Sequence, residues 1–327
     1  MDLSDFDYEL PETSIAQEPL PDRAASRMLV LYRSAQRWED RAFREFPGFL
    51  GPGDCLVLND SRVFLSRLYG HRLGMSGRVE VFLLRPLSDD ARTWTALVHP
   101  GRKIRTGERI CFDGDLDAKI LARGEYGERT LRFSCEGDLY EALERIGHVP
   151  LPPYIQRGDT ALDRERYQTI FAHERGSVAA PTAGLHFTPE ILEGCRADIA
   201  KVTLHVGLGT FQPVRGETLH AEAFEVREES AAKIRAASRV VCVGTTSVRA
   251  VESMALGRTG ETDLFIRPGF EFQLTGAMLT NFHLPRSSLL MLVCAFAGRD
   301  LTLAAYKHAV ESGYRFYSYG DCMLILK

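Results

Sequence analysis

The sequence predicts an α/β protein: a large mixed-sheet α/β domain with an inserted small all-β barrel-like domain. Three observations predict it. The 327 residues, 45% hydrophobic and 26% charged, are enough to bury one large core or two smaller ones. From Ser61 to Gly137, short apolar stretches recur at roughly ten-residue spacing between Gly and Asp turns, the pattern of a small barrel or sandwich. On either side, β-branched runs alternate with stretches of helical period. Residues 1–60 and 138–327 are therefore expected to form one discontinuous α/β domain, and residues 61–137 the insert.

In order, Met28 to Tyr32 reads as a strand, Asp40 to Phe46 as a short helix, and Cys55 to Leu58, after Gly51-Pro52-Gly53, as a second strand. The insert contributes VEVFLL (Val79 to Leu84), WTALV (Trp94 to Val98), RICF (Arg109 to Phe112), AKILA (Ala118 to Ala122) and RTLRF (Arg129 to Phe133). Helical character returns at Asp138 to Ile146 and Asp163 to Ala172. Val202 to Val206 and Val240 to Val243 have the composition of buried strands. Ser230 to Ala237, Ser247 to Leu256, Ser287 to Ala297 and Leu301 to Ser312 read as helices, and a strand closes the chain after Asp321.

Composition narrows the function classes. The acidic opening MDLSDFDYELPE, broken by Pro11, is not a signal peptide, and no apolar run approaches the ~20 residues of a bilayer span. A cytoplasmic protein with no membrane partner is expected. The seven cysteines lie far apart with no C-x-x-C pair, and H-E-x-x-H is absent, so neither a metal site nor a disulfide framework is expected. A net charge of −4 argues against a generally basic coat. The charge is uneven, however: Ser61 to Ile110 holds ten Arg or Lys against four acids. A small β-domain with that excess can track an RNA backbone, and Arg62, Arg102, Lys103 and Arg105 are candidate RNA contacts. A solvated, salt-bridged surface explains the same charges equally well.

Four segments could carry chemistry. Gly176 to Thr188, GSVAAPTAGLHFT, is rich in small residues that let a ligand approach the backbone. Thr188 and Pro189 make a helix cap and first position, with His186 just before. By itself the run reads more readily as a tight turn with a structural histidine. Val240 to Arg249 is a strand entering a polar turn and a helix, where Thr245, Thr246 and Arg249 could hold a ribose or carboxylate. It lacks G-x-G-x-x-G, which disfavours a Rossmann methyltransferase. Leu204 to Pro213 ends a strand in glycines beside His205, and Thr280 to Ser288 gathers Asn281, His283 and Arg286 ahead of an apolar helix. Histidines in such turns, including His220, can serve as acid or base near neutral pH.

The quoted pieces, with DFDYELPE, NDSRV (Asn59 to Val63), PLPPYI (Pro150 to Ile155), RYQTIFA (Arg166 to Ala172), LHVGLGTFQPV, GTTSVR, TNFHLPRSSLLMLVCAFAG and YRFYSYGDCMLI, cover nearly the whole chain in order. Together they make the sequence closely resemble the bacterial S-adenosylmethionine:tRNA ribosyltransferase-isomerases of queuosine biosynthesis. One departure is that the stretch after Val214 is shortened, with His220 and Glu222 keeping the second histidine and the acid of the family pattern. The resemblance implies transfer of the ribosyl group of S-adenosylmethionine to 7-aminomethyl-7-deazaguanine at the wobble position of tRNA. S-adenosylmethionine is then a co-substrate, with no permanently bound cofactor. His186, His205, Glu222, His283 and Asp321 are the proton-transfer candidates. Thr182, Thr245, Thr246, Arg249, Asn281 and Arg286 are the candidates for holding substrate. Phe187, Phe211 and Phe282 could face the sulfonium. Two rivals stay open, an RNA methyltransferase and a non-catalytic RNA-binding protein, and the oligomeric state is open too, a monomer being one option.

Overall fold

A computed structural model describes residues 2–88, 90–125, 127–207 and 219–327. Its strands are β1 (Arg27–Tyr32), β2 (Arg37–Ala42), β3 (Asp54–Asn59), β4 (Ser61–Val63), β5 (Arg67–Arg72), β6 (Arg78–Pro86), β7 (Thr93–His99), β8 (Arg109–Phe112) and β9 (Asp117–Arg123). They continue as β10 (Glu128–Ser134), β11 (Glu174–Ser177), β12 (Asp198–Leu204), β13 (Glu222–Glu225), β14 (Arg239–Val243), β15 (Gly260–Thr262), β16 (Thr275–Asn281) and β17 (Cys322–Leu326). The helices are α1 (Leu139–Ile146), α2 (Ala161–Arg166), α3 (Pro189–Gly194), α4 (Glu228–Ala236), α5 (Thr245–Ala255), α6 (Ser288–Ala297) and α7 (Arg299–Glu311).

Nine strands form one mixed sheet in the order β15-β13-β12-β3-β14-β16-β17-β1-β2. Within it β12, β3, β14 and β16 are parallel neighbours, whereas β17 runs against β16 and is parallel to β1. Strand alternation sends Leu29, Leu31, Val57, Cys242 and Met323 into one core and Met28, Val30, Leu56, Val241 and Leu324 into the other. Burial on both faces demands unbroken apolar runs, and this is why DCLVLN and CMLIL carry so little polarity. Helices α5, α6 and α7 contribute to the first core, and Phe43, Phe46 and Phe187 from short 3₁₀ turns and loops to the second. The edge strand β2, RWEDRA, is charged and partly exposed, which discourages pairing with another chain.

The insert is a closed barrel in the order β10-β7-β6-β5-β8-β9, with antiparallel neighbours throughout. Its interior holds Leu68, Val81, Trp94, Ile110, Ile120 and Leu131, and Leu139, Ala142 and Leu143 of α1 join the same core. The short parallel pair β4–β11 sits beside the barrel's entry.

Two expected helices differ. Residues 40–46 are not a helix: Arg37–Ala42 is strand β2, paired along β1, and Phe43–Phe49 is a 3₁₀ turn containing Pro47. Pairing with β1 overrides local propensity there. The helix expected over 163–172 stops at Arg166, because Gln168 binds Val63 backbone N–H (3.1 Å) and C=O (3.0 Å) and draws the chain toward β4. Strands β4, β5, β11, β13, β15 and β16 have no counterpart in the sequence reading. No single helix among the described residues is long and apolar enough to cross a membrane.

Candidate active site

The parallel strands β3, β12, β14 and β16 end together on one edge of the sheet, at Asn59, Leu204, Val243 and Asn281. Chains leaving adjacent parallel strands turn away there and leave a crevice, the usual ligand position in such sheets. It holds a cavity of about 540 Å³ walled by residues 179–183, 244–246 and 280–289, with Tyr154, Tyr167 and Tyr317. That volume is in the small-molecule range.

Local chemistry shapes each wall. Gly244 has φ 89°, which glycine adopts without strain, so β14 turns at once into α5 and sets Thr245 and Thr246 on the cavity. Asn59 fixes the same corner with all four of its amide positions. Its Nδ2 donates to Leu204 O (3.0 Å) and Thr246 Oγ1 (3.2 Å), and its Oδ1 accepts from Ser61 N and Leu204 N (both 3.1 Å). Thr188 caps α3 as expected, accepting from Ile191 N at 3.3 Å.

Thr182, Thr245, Thr246, Arg249, Asn281, His283 and Arg286 line the cavity; His186, His205, Glu222 and Asp321 do not. Asn281 Nδ2 donates to the carbonyls of Tyr317 (2.8 Å) and Ser318 (3.4 Å), which turns its Oδ1 to His186 Nε2 at 2.9 Å. His186 therefore carries its hydrogen on Nε2 and accepts at Nδ1 from Ser26 Oγ (2.8 Å). Both ring nitrogens are occupied, and burial lowers its pKa. His205 lies over Gly176, where a Cβ would come within 2.7 Å of the ring. Among the described residues its buried Nδ1 has no partner, and burial lowers its pKa as well.

Glu222 and Arg249 form a buried ion pair. Glu222 also accepts from Gly207 N (2.8 Å), and Arg249 Nε and Nη2 donate to the carbonyls of Leu264 (3.1 Å) and Thr262 (3.3 Å). Asp321 accepts from the backbone N–H of Arg27 (2.9 Å) and Arg315 (2.8 Å), tying β1 to the chain entering β17. His283 bonds Thr280 Oγ1 through Nε2 at 2.8 Å, and its carbonyl accepts from Tyr8 Oη at 2.5 Å. Burial pushes its imidazole down to about 3. Arg286 pairs with Asp7 and has φ 56°.

Of the aromatic candidates, Phe282 lines the cavity, Phe187 packs on Phe43, Phe46 and Phe171, and Phe211 lies outside the described residues. Arg102, Lys103 and Arg105 are exposed on the barrel, and Arg62 is exposed on β4, 4.0 Å from Glu144. The sequence reading passes over Tyr154, Tyr167, Tyr317 and Ser318. Tyr154 Oη and Ser318 Oγ are 2.7 Å apart, and Tyr317 has φ 72° with a buried hydroxyl that reaches no partner among the described residues. Strained backbone and an unmet hydroxyl on a cavity wall are features of ligand sites. The only sequence signal is the tyrosine density of PLPPYI and YRFYSYGD.

The family model described as "Queuosine biosynthesis protein" matches residues 3–325. The S-adenosylmethionine:tRNA ribosyltransferase-isomerase of Solibacter usitatus is 64% identical, with all of each chain covered. Those of Symbiobacterium thermophilum and Desulforamulus reducens are 50% and 46% identical over the full length of both chains. The crystal structure of S-adenosylmethionine tRNA ribosyltransferase from Thermotoga maritima, 42% identical, covers 99% of this chain and 100% of its own with a TM-score of 0.57. Likeness that runs from end to end, through the barrel and the crevice alike, leaves one assignment: the chain belongs to the S-adenosylmethionine:tRNA ribosyltransferase-isomerase family.

Proposed function

We propose that the protein moves and isomerises the ribosyl group of S-adenosylmethionine onto 7-aminomethyl-7-deazaguanine at the wobble position of tRNA. The products are epoxyqueuosine-tRNA, adenine and methionine. The observation that carries the proposal is the crevice itself, small-residue-walled at the carboxyl edge of the sheet with hydroxyls and a buried histidine around one cavity. The division into a catalytic part (1–60 and 138–327) and an RNA-facing insert (61–137), and action in the cytoplasm, belong to the same proposal.

A positive sulfur acidifies the protons of the adjoining ribose C5′, so a neutral base can take one and start ring opening with loss of adenine. The RNA aminomethyl nitrogen then attacks, and the sugar closes to the epoxide as methionine leaves. We assign the base to His283. It is on the cavity, and only Nε2 has a partner among the described residues. Thr280 Oγ1 can donate to Asn281 O (3.3 Å) and so accept from Nε2–H, which leaves the Nδ1 lone pair free. Thr182, Thr245, Thr246 and Tyr317 Oη supply polar contacts to the nucleoside. His186, Asn281, Glu222, Arg249 and Asp321 hold the walls.

The test mixes the protein with S-adenosylmethionine and an anticodon stem-loop carrying the aminomethyl-deazaguanine. Free adenine, methionine and an RNA mass gain are expected. Release of S-adenosylhomocysteine would instead identify a methyltransferase, and RNA binding without consumption of S-adenosylmethionine a non-catalytic binder.

A further inference from the structure

The barrel contains a second cavity, about 820 Å³, bordered by Phe82, His99, Arg102, Lys103, Arg123 and Arg129. Arg129 is 2% exposed, which is unusual for a cation. Its Nη1 and Nη2 donate to the carbonyls of Glu128 (2.7 Å) and Gly101 (2.5 Å), while Nε is buried with no partner among the described residues. Two carbonyls need only neutral donors, so these bonds leave the positive charge uncompensated. A buried charge without an opposite charge is costly, and protein interiors pair such groups. No carboxylate among the described residues forms an ion pair with Arg129. Glu80, also on the cavity, is engaged by Arg67 at 3.3 Å. Burial, and then the like charge of Arg123, lowers the pKa of Arg129. Arg102, Lys103 and Arg123 are exposed at the rim, and none of them forms an ion pair with a described residue. Four cations thus border one hollow, and its one described lining carboxylate, Glu80, is engaged by Arg67.

We infer that this hollow is an anion site, centred on Arg129, that takes a phosphodiester of the RNA substrate away from the reacting base. A guanidinium fixed by two carbonyls on the lining of the hollow is a preorganised positive charge beneath a phosphate, and the rim cations supply the direct contacts. The choice of RNA as the source of the phosphate rests on the function proposed above; the anion site itself does not.

The experiment compares wild type with Arg129→Gln and Arg123→Ala. RNA affinity is measured against KCl concentration with the anticodon stem-loop, KM is measured for both substrates, and inorganic phosphate binding is followed by ³¹P line broadening. Removing one cation–phosphate interaction should flatten the log–log salt dependence by about 0.7 to 0.9. Arg129→Gln should do so, raise the RNA KM by about fivefold or more, leave the KM for S-adenosylmethionine unchanged, and abolish phosphate broadening. Unchanged slope and RNA KM in folded Arg129→Gln overturn the RNA assignment, and phosphate broadening that persists overturns the anion site. If Arg129→Gln does not fold, Arg123→Ala, on an exposed side chain, carries the same two readouts. If wild type neither binds nor modifies RNA, the functional reading falls, while phosphate broadening still decides whether the hollow holds an anion.

Discussion

At His283, burial keeps the imidazole neutral at pH 7 and makes the folded state resist a proton that the unfolded chain accepts near pH 6.5. The folded pKa lies below the unfolded one, so this stability is present above about pH 6.5 and is lost as the pH falls toward about 3. Between pH 7 and 5, His283 alone should cost about 2 kcal/mol, and His186 and His205, shifted the same way, add to it. Urea midpoints at the two pH values measure the loss, and in His283→Asn the difference should shrink by about that amount. The same variant should bind RNA normally and release no adenine; wild-type turnover would remove His283 from the chemistry. Tyr317→Phe keeps the ring and deletes only the unmet hydroxyl. Its KM for S-adenosylmethionine should rise about fivefold, the worth of one hydrogen bond of about 1 kcal/mol, with the RNA KM unchanged.

Elements meet at the crevice through packing that tolerates little change. The run from Gly176 must pass beneath the His205 ring at the end of β12, and a side chain there has no room. Gly176→Ala should therefore cost about 1 to 3 kcal/mol in chemical denaturation, as overpacked sites do. On the other side of β12, strand β13 is locked to helix α5 by the Glu222–Arg249 pair. Removing one partner strands a buried charge, and Glu222→Leu should lose about 3 to 5 kcal/mol. Adding Arg249→Met to that variant should recover part of the loss, and a double-mutant cycle reads the coupling. Since Arg249 also borders the cavity, the order of this pair fixes one wall of the site.

At the scale of the molecule, barrel and sheet are joined by shared packing. Helix α1 follows the last barrel strand, yet Leu139, Ala142 and Leu143 are buried in the barrel's own core, and Val178, two residues past the start of the small-residue wall at Gly176, is in it too. Leu143→Ala should cost about 2 to 5 kcal/mol. Hydrogen exchange should then show lost protection in β7 and β10 while β14 and β16 keep theirs; uniform loss would mean that both parts unfold as one unit.

The kinds of element and their grouping were legible in the amino-acid order alone, because they depend on local period. Apolar runs such as DCLVLN, ten-residue spacing in the insert and the Thr188–Pro189 cap are each readable within a few residues. Half of the cavity's polar residues were marked as well, since Thr182, Thr245, Thr246 and His283 sit in turns that break the surrounding apolar pattern. Which groups meet depended instead on long-range packing. Nothing local to Asp321 says that both its oxygens are taken by Arg27 and Arg315, or local to His186 that Ser26 and Asn281 occupy both nitrogens, since these partners lie up to 294 residues away. The strand Arg37–Ala42 and the shortened helix α2 have the same origin: pairing with β1 and the Gln168 clamp on Val63 outweigh local propensity. Tyr317 entered the site because its left-handed backbone and unmet hydroxyl exist only once the chain has folded around the crevice.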